Sequence, residues 1–80
     1  MIYLRLYNGY LLKEEEIVGI FDLDTATEAF PTRKFLREAE AKGIVRVASR
    51  SIPRSFIVTN DHVYLSHSSK NALIKSLSEF

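Results

Sequence analysis

The stretch SRSIPRSFIVTNDHVYLS, residues 49–66, carries the pattern that decides the fold. Its apolar and β-branched segments SFIVT and HVYLS flank the dipeptide ND, whose residue types favour tight turns, so we predict a β-hairpin. Pro53 lacks a backbone N–H and biases the residue before it toward an extended conformation, so the preceding SRSIP segment is predicted to be a turn. Arg50 and Arg54 lie in and beside that turn. The stretch therefore predicts a hairpin with two long cationic side chains at its start.

The N-terminal part of the chain predicts three more strands. MIYLRLY alternates apolar and polar side chains and runs into NG, the dipeptide of tight type I′ turns, with YLL as the returning strand. The acidic KEEE segment is expected to be an exposed connection. The continuous apolar run IVGIFDL is expected to be a central strand, in which Gly19 marks a bulge or a close backbone approach.

A helix is predicted for PTRKFLREAEAKG. Pro31 suits its first turn, where the missing N–H costs nothing, and Gly43 is a natural left-handed residue for its end. The spacing of Phe35, Leu36 and Ala39 places them on one face, which is expected to cover the sheet.

The remaining segments complete the fold. IVRVA is β-branched and predicts a strand, whereas SSKNALIKSL begins with serine caps and predicts a short amphipathic helix. Thr25 or Thr27 is expected to cap a turn before the central helix. The order of elements predicts an α+β fold in a single domain, residues 1–80, with a mainly antiparallel sheet built from short hairpins, one central helix and a short C-terminal helix. The residues expected to be buried are Ile20, Phe21, Phe35, Leu36, Ile57, Val58 and Leu73.

Length and composition place the chain among ordinary globular proteins. It has 80 residues, of which 46% are hydrophobic and 26% charged. A chain of this length buries only about 60% of its unfolded surface, so self-association is an attractive way to bury more. Cysteine is absent, no apolar run approaches the length of a membrane span, and the N-terminus lacks the layout of a secretory signal. We expect a cytoplasmic protein with no membrane association.

The net charge of +1 conceals an asymmetry along the chain. Residues 1–30 contain two basic and six acidic side chains, a net charge of −4, whereas residues 31–80 contain nine basic and four acidic side chains, a net charge of +5. Such a division creates a local positive field, which suits an anionic partner such as nucleic acid. The alternative is a charged surface that serves only solubility.

The sequence offers little for catalysis. Asp61, His62 and His67 form the one arrangement that resembles a metal or acid–base site, but a turn aspartate and surface histidines explain them. The run Glu14–Glu16 is expected to be a solvated connection. No motif for a nucleophile, a metalloprotease or a glycine-rich phosphate loop is present. We predict no enzymatic activity, no cofactor, no metal site and no small-molecule ligand.

Binding to double-stranded DNA fits the arginines better. The guanidinium group of Arg50 or Arg54 matches a phosphate with two parallel hydrogen bonds, and each phosphate contact releases counterions. Arg33, Lys34 and Arg37 on the central helix extend the basic surface, although Lys34 can also pair with a glutamate one helical turn later. The predicted DNA-binding residues are Arg33, Lys34, Arg37, Arg50 and Arg54.

Four segments together resemble a known family: IVGIFDLDT, TRKFLREAEAKG, SIPRSFIVT and VYLSHSSKNALIKSL. In this order, and over residues 2–77, they are similar to the small Rem-type regulators of spore-forming Gram-positive bacteria, and most similar to the RemB-like branch. The order of the segments is more specific than any one of them.

The resemblance implies a non-enzymatic transcriptional regulator of extracellular-matrix, or biofilm, genes. It also implies a closed ring of identical subunits that binds DNA through arginines displayed around the ring, with Arg50 and Arg54 as approximate counterparts. Ring closure repeats a weak contact and so produces avidity. The RemA-like branch carries an arginine where this chain has Glu16. That carboxylate favours the alternative, a homo-oligomeric protein-interaction module that does not itself bind DNA.

Overall fold

A computed structural model describes residues 2–23 and 30–78, and within these ranges the chain forms six strands and two helices. The elements are β1 (Tyr3–Arg5), β2 (Leu11–Lys13), β3 (Ile17–Asp22), α1 (Phe30–Ala41), β4 (Val45–Ala48), β5 (Ser55–Thr59), β6 (Val63–Ser66) and α2 (Lys70–Ser78). The predicted α+β class is confirmed, as are the central and the C-terminal helix. The predicted cap at Thr25 or Thr27 lies outside the described residues.

The N-terminal hairpin joins β1 to β2 as a separate antiparallel pair. Asn8 and Gly9 have φ of +70° and +80°, which is the conformation that an NG turn requires. The Leu6 N–H donates to the Tyr10 carbonyl at 2.8 Å, so the loop that this pair closes has three residues, Tyr7–Gly9, and is less tight than predicted. The Asn8 side-chain amide donates a hydrogen bond of 3.3 Å to the carbonyl oxygen of Val47 and so ties the hairpin to β4.

The main sheet has the strand order β3-β5-β6-β4. β5 pairs antiparallel with β3 and with β6, whereas β4 pairs parallel with β6. The predicted central position of the IVGIFDL strand is wrong, because β3 lies at the edge and the hairpin of residues 55–66 forms the centre. The apolar run of β3 does not come from a central position in the sheet. It comes from the layers that pack on both faces of the sheet, so that residues on both sides of this strand are apolar.

The central hairpin closes without the left-handed backbone that its ND dipeptide tolerates. Among the described non-glycine residues only Asn8 has a positive φ. The turn is instead held by Thr59, whose N–H donates to the carbonyl oxygen of His62 at 2.9 Å. The Thr59 hydroxyl also accepts a hydrogen bond from the His62 N–H at 3.1 Å. A side chain therefore replaces special backbone geometry in fixing this turn.

Local signals fix the helix ends as predicted. Gly43 has φ of +73°, its N–H donates to the Glu40 carbonyl at 3.0 Å, and the Ile44 N–H donates to the Ala39 carbonyl at 3.1 Å. This pair of hydrogen bonds is the Schellman motif, which satisfies the last carbonyls of α1. At the start of α2, the hydroxyl oxygen of Ser69 accepts a hydrogen bond of 3.1 Å from a backbone N–H of the first turn.

The two faces of the main sheet are covered differently. We call the face that packs on the β1–β2 hairpin and α2 the closed face, and the face that packs on α1 the open face. The buried residues of the closed face are Leu4, Leu6, Leu12, Ala48, Ile57 and Leu73. Those of the open face are Ala39, Phe56 and Val63.

The predicted core is partly confirmed. Ile57 and Leu73 are buried, and the predicted positions on β3, α1 and β5 that are partly buried are Ile20, Leu36 and Val58. Phe21 and Phe35 were expected in the core, and this is wrong, because each remains 41% exposed. Both lie where α1 approaches the edge strand β3, which a single helix does not cover completely. None of the described helices is long and apolar enough to cross a membrane.

Candidate nucleic-acid interface

The connection of residues 49–54, which we call the arginine turn, is anchored to the sheet at its second half. The Arg54 N–H donates to the Ser66 carbonyl at 2.8 Å, and the Arg54 carbonyl accepts from the Leu23 N–H at 2.9 Å. The hydroxyl of Ser55, which is fully buried, donates to the Ser68 carbonyl at 2.7 Å. The backbone of Arg54 is therefore held between the ends of β3 and β6, while its side chain remains exposed.

The first half of the arginine turn is held by side chains. The Arg50 N–H donates to Nδ1 of His67 at 3.3 Å, and the His67 ring meets the Tyr7 ring edge-on with centroids 5.8 Å apart. Within the turn, the Ser49 hydroxyl donates to the Ser51 carbonyl at 2.5 Å. His67 thus acts as a support for the backbone of Arg50.

The arginine turn presents three large side chains to solvent. Those of Arg50 and Arg54 are exposed, and neither guanidinium group forms an ion pair with a described residue. Ile52 lies between them and is 85% exposed. A fixed backbone that displays unpaired arginines is suited to contact with anions, because little ordering of the turn is needed on binding.

The predicted basic residues of α1 form a second group. Arg33, Lys34 and Arg37 are exposed, and Lys34 lies 4.0 Å from Glu38, as the helical spacing predicts. Because both partners of that pair are exposed, it contributes little to stability. The two basic groups belong to neighbouring elements, since Pro53 of the arginine turn lines a groove together with Leu36 and Glu40 of α1. The other lining residues of this groove are Val45 and Leu65 of the sheet and Leu23, which follows β3.

Glu16 lies at the other end of the sheet from the arginine turn. Ile17, which follows it, pairs with Thr59, whereas Asp22 at the far end of β3 pairs with Ser55, next to Arg54. The rise of a strand separates these ends by roughly 15 Å. Within one subunit, Glu16 is therefore too far from Arg54 to act strongly on an anion there. The carboxylate at the same end of β3 as Arg54 is that of Asp22, which sequence reasoning missed.

The opposite end of the sheet contains a tyrosine with a shifted pKa. Burial raises the pKa of the Tyr64 hydroxyl above its usual value; Tyr10, Glu16 and Asp61 raise it further, and Arg46 opposes them. The Tyr64 ring also meets the Tyr10 ring edge-on, with centroids 5.2 Å apart. Glu16 thus acts on the Tyr64 end of the closed face.

An apolar groove, which sequence reasoning also missed, runs between β3 and α1. We call it the β3 groove; its volume is about 300 Å³ and its lining residues are Val18, Phe21, Pro31, Thr32, Phe35, Phe56 and Val58. Phe21 lies opposite Phe56 in the register, and the two rings stack with centroids 5.0 Å apart.

Gly19 makes room for the ring that shapes the β3 groove. The register shifts between Ile17 and Gly19, and a Cβ at Gly19 would lie 2.7 Å from two ring carbons of Phe21. The register shift confirms the predicted bulge at Gly19, and the group that approaches Gly19 closely is the Phe21 ring rather than a neighbouring backbone. A glycine two residues before an aromatic residue on one strand was the available sequence signal, because residues at that spacing lie on the same face.

The residues considered for metal or acid–base chemistry do not converge. His62 precedes β6 and lies 6.0 Å from the Tyr64 ring, whereas His67 follows β6 and supports the arginine turn. Among residues 2–23 and 30–78, no group of three or more His, Asp or Glu side chains is arranged to hold a metal ion. Glu14–Glu16 form a 3₁₀ turn, in which Glu14 and Glu15 are exposed as predicted.

Comparison of the chain with protein-family models finds no match, and comparison with curated proteins finds none either. The Rem-type resemblance therefore stays a prediction from the sequence.

Proposed function

We propose that this chain is a cytoplasmic, non-enzymatic transcriptional regulator of the Rem type, which binds the backbone of double-stranded DNA as a closed homo-oligomeric ring. The observation that carries the proposal is the arginine turn. Its backbone is anchored by hydrogen bonds to both neighbouring strand ends, while Arg50 and Arg54 are exposed and form no ion pair with a described residue.

The chemistry of the arginine turn favours phosphates over base edges. Besides its two arginines, the turn contains two serines, an isoleucine and a proline, and it lacks the asparagine or glutamine side chains that read adenine. Phosphate contacts position a protein on DNA without reading sequence. Two such contacts per subunit are weak, so the proposal includes repetition of the arginine turn around a ring. Arg33, Lys34 and Arg37 supply further positive charge beside it.

A salt series on DNA binding tests the proposal. In a gel-shift assay, Arg50→Ala should weaken binding and flatten the slope of log K against log salt by about 0.9 for each phosphate that the variant no longer neutralises. Arg50→Lys should keep part of the affinity, because a point charge still releases counterions even without the two parallel hydrogen bonds of a guanidinium group. Arg5→Ala, at an exposed arginine of β1, is the matched control and should leave the slope unchanged. Failure of the wild-type protein to shift any duplex at low salt would overturn DNA binding.

The alternative is a homo-oligomeric interaction module that does not bind DNA. The β3 groove favours it, because its exposed apolar residues are suited to contact with protein. Sedimentation measured beside the gel shift separates the two functions. If the wild-type protein assembles but shifts no duplex at low salt, the interaction module is the better account.

A further inference from the structure

We propose that successive copies of this chain join by insertion of Ile52 from one copy into the β3 groove of the next. The inference rests on the self-assembly in the proposed function and identifies the junction between subunits. Two strongly exposed apolar side chains suggest this junction. Ile52 is 85% exposed and Val18 is 68% exposed, and they are the most exposed of the large hydrophobic side chains in the described residues.

The two features fit each other in size and chemistry. The β3 groove is about 300 Å³ in volume and its lining includes Val18, Phe21 and Phe35, each of which remains substantially exposed. The branched aliphatic side chain of Ile52 is small enough to enter such a groove, and its insertion removes apolar surface from water on both partners. Because hydrogen bonds fix the arginine turn at Arg50 and Arg54, Ile52 is held out from the body of the subunit.

Charge complementarity selects a second copy as the occupant. Ile52 lies between two arginines, whereas the β3 side of the groove follows directly on the acidic turn Glu14–Glu16, two residues before Val18. Docking of Ile52 brings the arginines of one copy toward the carboxylates of the next, which steers and orients the encounter.

The arginines remain available to phosphates in this arrangement. Ion pairs at the rim of an interface are solvent-exposed and weak, so Arg50 and Arg54 can exchange a carboxylate for a phosphate. Each junction then presents one pair of arginines at its outer rim. This arrangement gives the ring its repeated basic contacts.

The geometry also favours side-chain insertion over extension of the sheet. β3 is one edge of the main sheet and β4 is the other. The Asn8 side chain already bonds the Val47 carbonyl on β4, which obstructs pairing of that strand with β3 of a neighbour. Because Ile52 and the β3 groove are different surfaces of one chain, their contact is head-to-tail, and such contacts generate rings when the rotation closes.

Sedimentation of the full chain without DNA tests the junction with two variants. Ile52→Asp removes the inserted side chain, and Val18→Asp places a charge in the groove; both positions are exposed, so both variants should fold, as circular dichroism can verify. Each should weaken self-association by roughly 30-fold or more, as removal of an interface anchor does. Val47→Asp is the control, since Val47 is 54% exposed, and it should assemble like the wild-type protein.

Mixing the two variants gives the sharper result. The Val18→Asp chain keeps its Ile52, and the Ile52→Asp chain keeps its groove, so an equimolar mixture should form a one-to-one heterodimer and nothing larger. A mixture that stays monomeric, or a groove variant that disrupts assembly while Ile52→Asp does not, would overturn the proposal; the second result indicates a symmetric groove-to-groove contact. A wild-type monomer also overturns it. If the variants and their mixture sediment as expected but the wild-type protein shifts no duplex, the junction is supported and only DNA binding is overturned.

Discussion

The two faces of the main sheet differ in how completely they are covered. The closed face is covered by two elements, the β1–β2 hairpin and α2, and its cluster includes residues such as Leu4 and Ile57 that are fully inaccessible to solvent. The open face is covered by α1 alone. There, Phe21 and Phe35 remain substantially exposed beside an apolar groove.

This difference indicates that one face of the sheet stabilises the subunit and the other is available for interaction. The closed face removes its apolar side chains from water within one chain, so it stabilises the subunit. The open face leaves apolar surface exposed to water. Such exposure does not stabilise a monomer and is typical of an interaction site. The edge strand β3 belongs to both faces, since Ile20 packs with the closed face and Phe21 with the open face.

The largest expected effect contrasts the two faces directly. Leu73→Ala, in the closed face, should reduce the free energy of unfolding by about 2–5 kcal/mol, because the side chain is buried and its removal leaves a cavity. Leu36→Ala, in the open face, should cost less than the lower end of that range, about 2 kcal/mol, because Leu36 is only partly buried and water can fill the space.

Urea unfolding of the two variants measures this contrast. Ile74→Ala is the control, because Ile74 neighbours Leu73 on α2 but is exposed, and it should change stability little. If Leu36→Ala and Leu73→Ala reduce the free energy of unfolding equally, α1 excludes water from the open face as completely as the β1–β2 hairpin and α2 exclude it from the closed face.

Elements that depend on local signals were predictable from the sequence. The NG dipeptide, Gly43 and the serines before α2 each act within a few residues, and the structure places a hairpin turn, a helix end and a helix cap there. Strand order depends on contacts between distant segments. An apolar run such as IVGIFDL indicates burial by layers above and below, but it does not indicate how many strands lie beside it.

The candidate site was predictable to a similar extent. The exposure of Arg50 and Arg54 follows from their place in a turn, as predicted. The position of Glu16 did not follow, because only the pairing of β3 with β5 places it at the far end of the sheet. The β3 groove was missed because the apolar face of α1 at Phe35 predicts burial. Whether Phe35 is buried depends on how much of the sheet α1 covers, which the sequence of the helix does not indicate.

A smaller effect is expected where the groove meets the edge strand. In Gly19→Ala, the new methyl group would lie 2.7 Å from the Phe21 ring, so the ring must turn away from Phe56. A displaced rotamer and disrupted stacking each cost about 0.5–1.5 kcal/mol, and we expect a total near the lower end, about 1 kcal/mol, because the end of a side chain moves easily. Thermal unfolding measures the destabilisation. In Gly19→Ala/Phe21→Leu the clash is absent, so the destabilisations of the two single variants should sum to more than that of the double variant.

The smallest effect concerns the closed face at alkaline pH, where the pKa of Tyr64 is raised. Burial raises the pKa of its hydroxyl in the folded state, so above the unfolded value of about 10 the unfolded chain binds fewer protons than the folded chain. The contribution of Tyr64 to the free energy of unfolding is therefore fully present below about pH 10, and it is lost as the pH rises through the pKa of the folded state. Tyr64→Phe should make the fall in Tm above about pH 10 shallower, with Tyr7→Phe as the exposed control. An unchanged alkaline slope in Tyr64→Phe would mean that this end of the closed face is as open to water as the β3 groove.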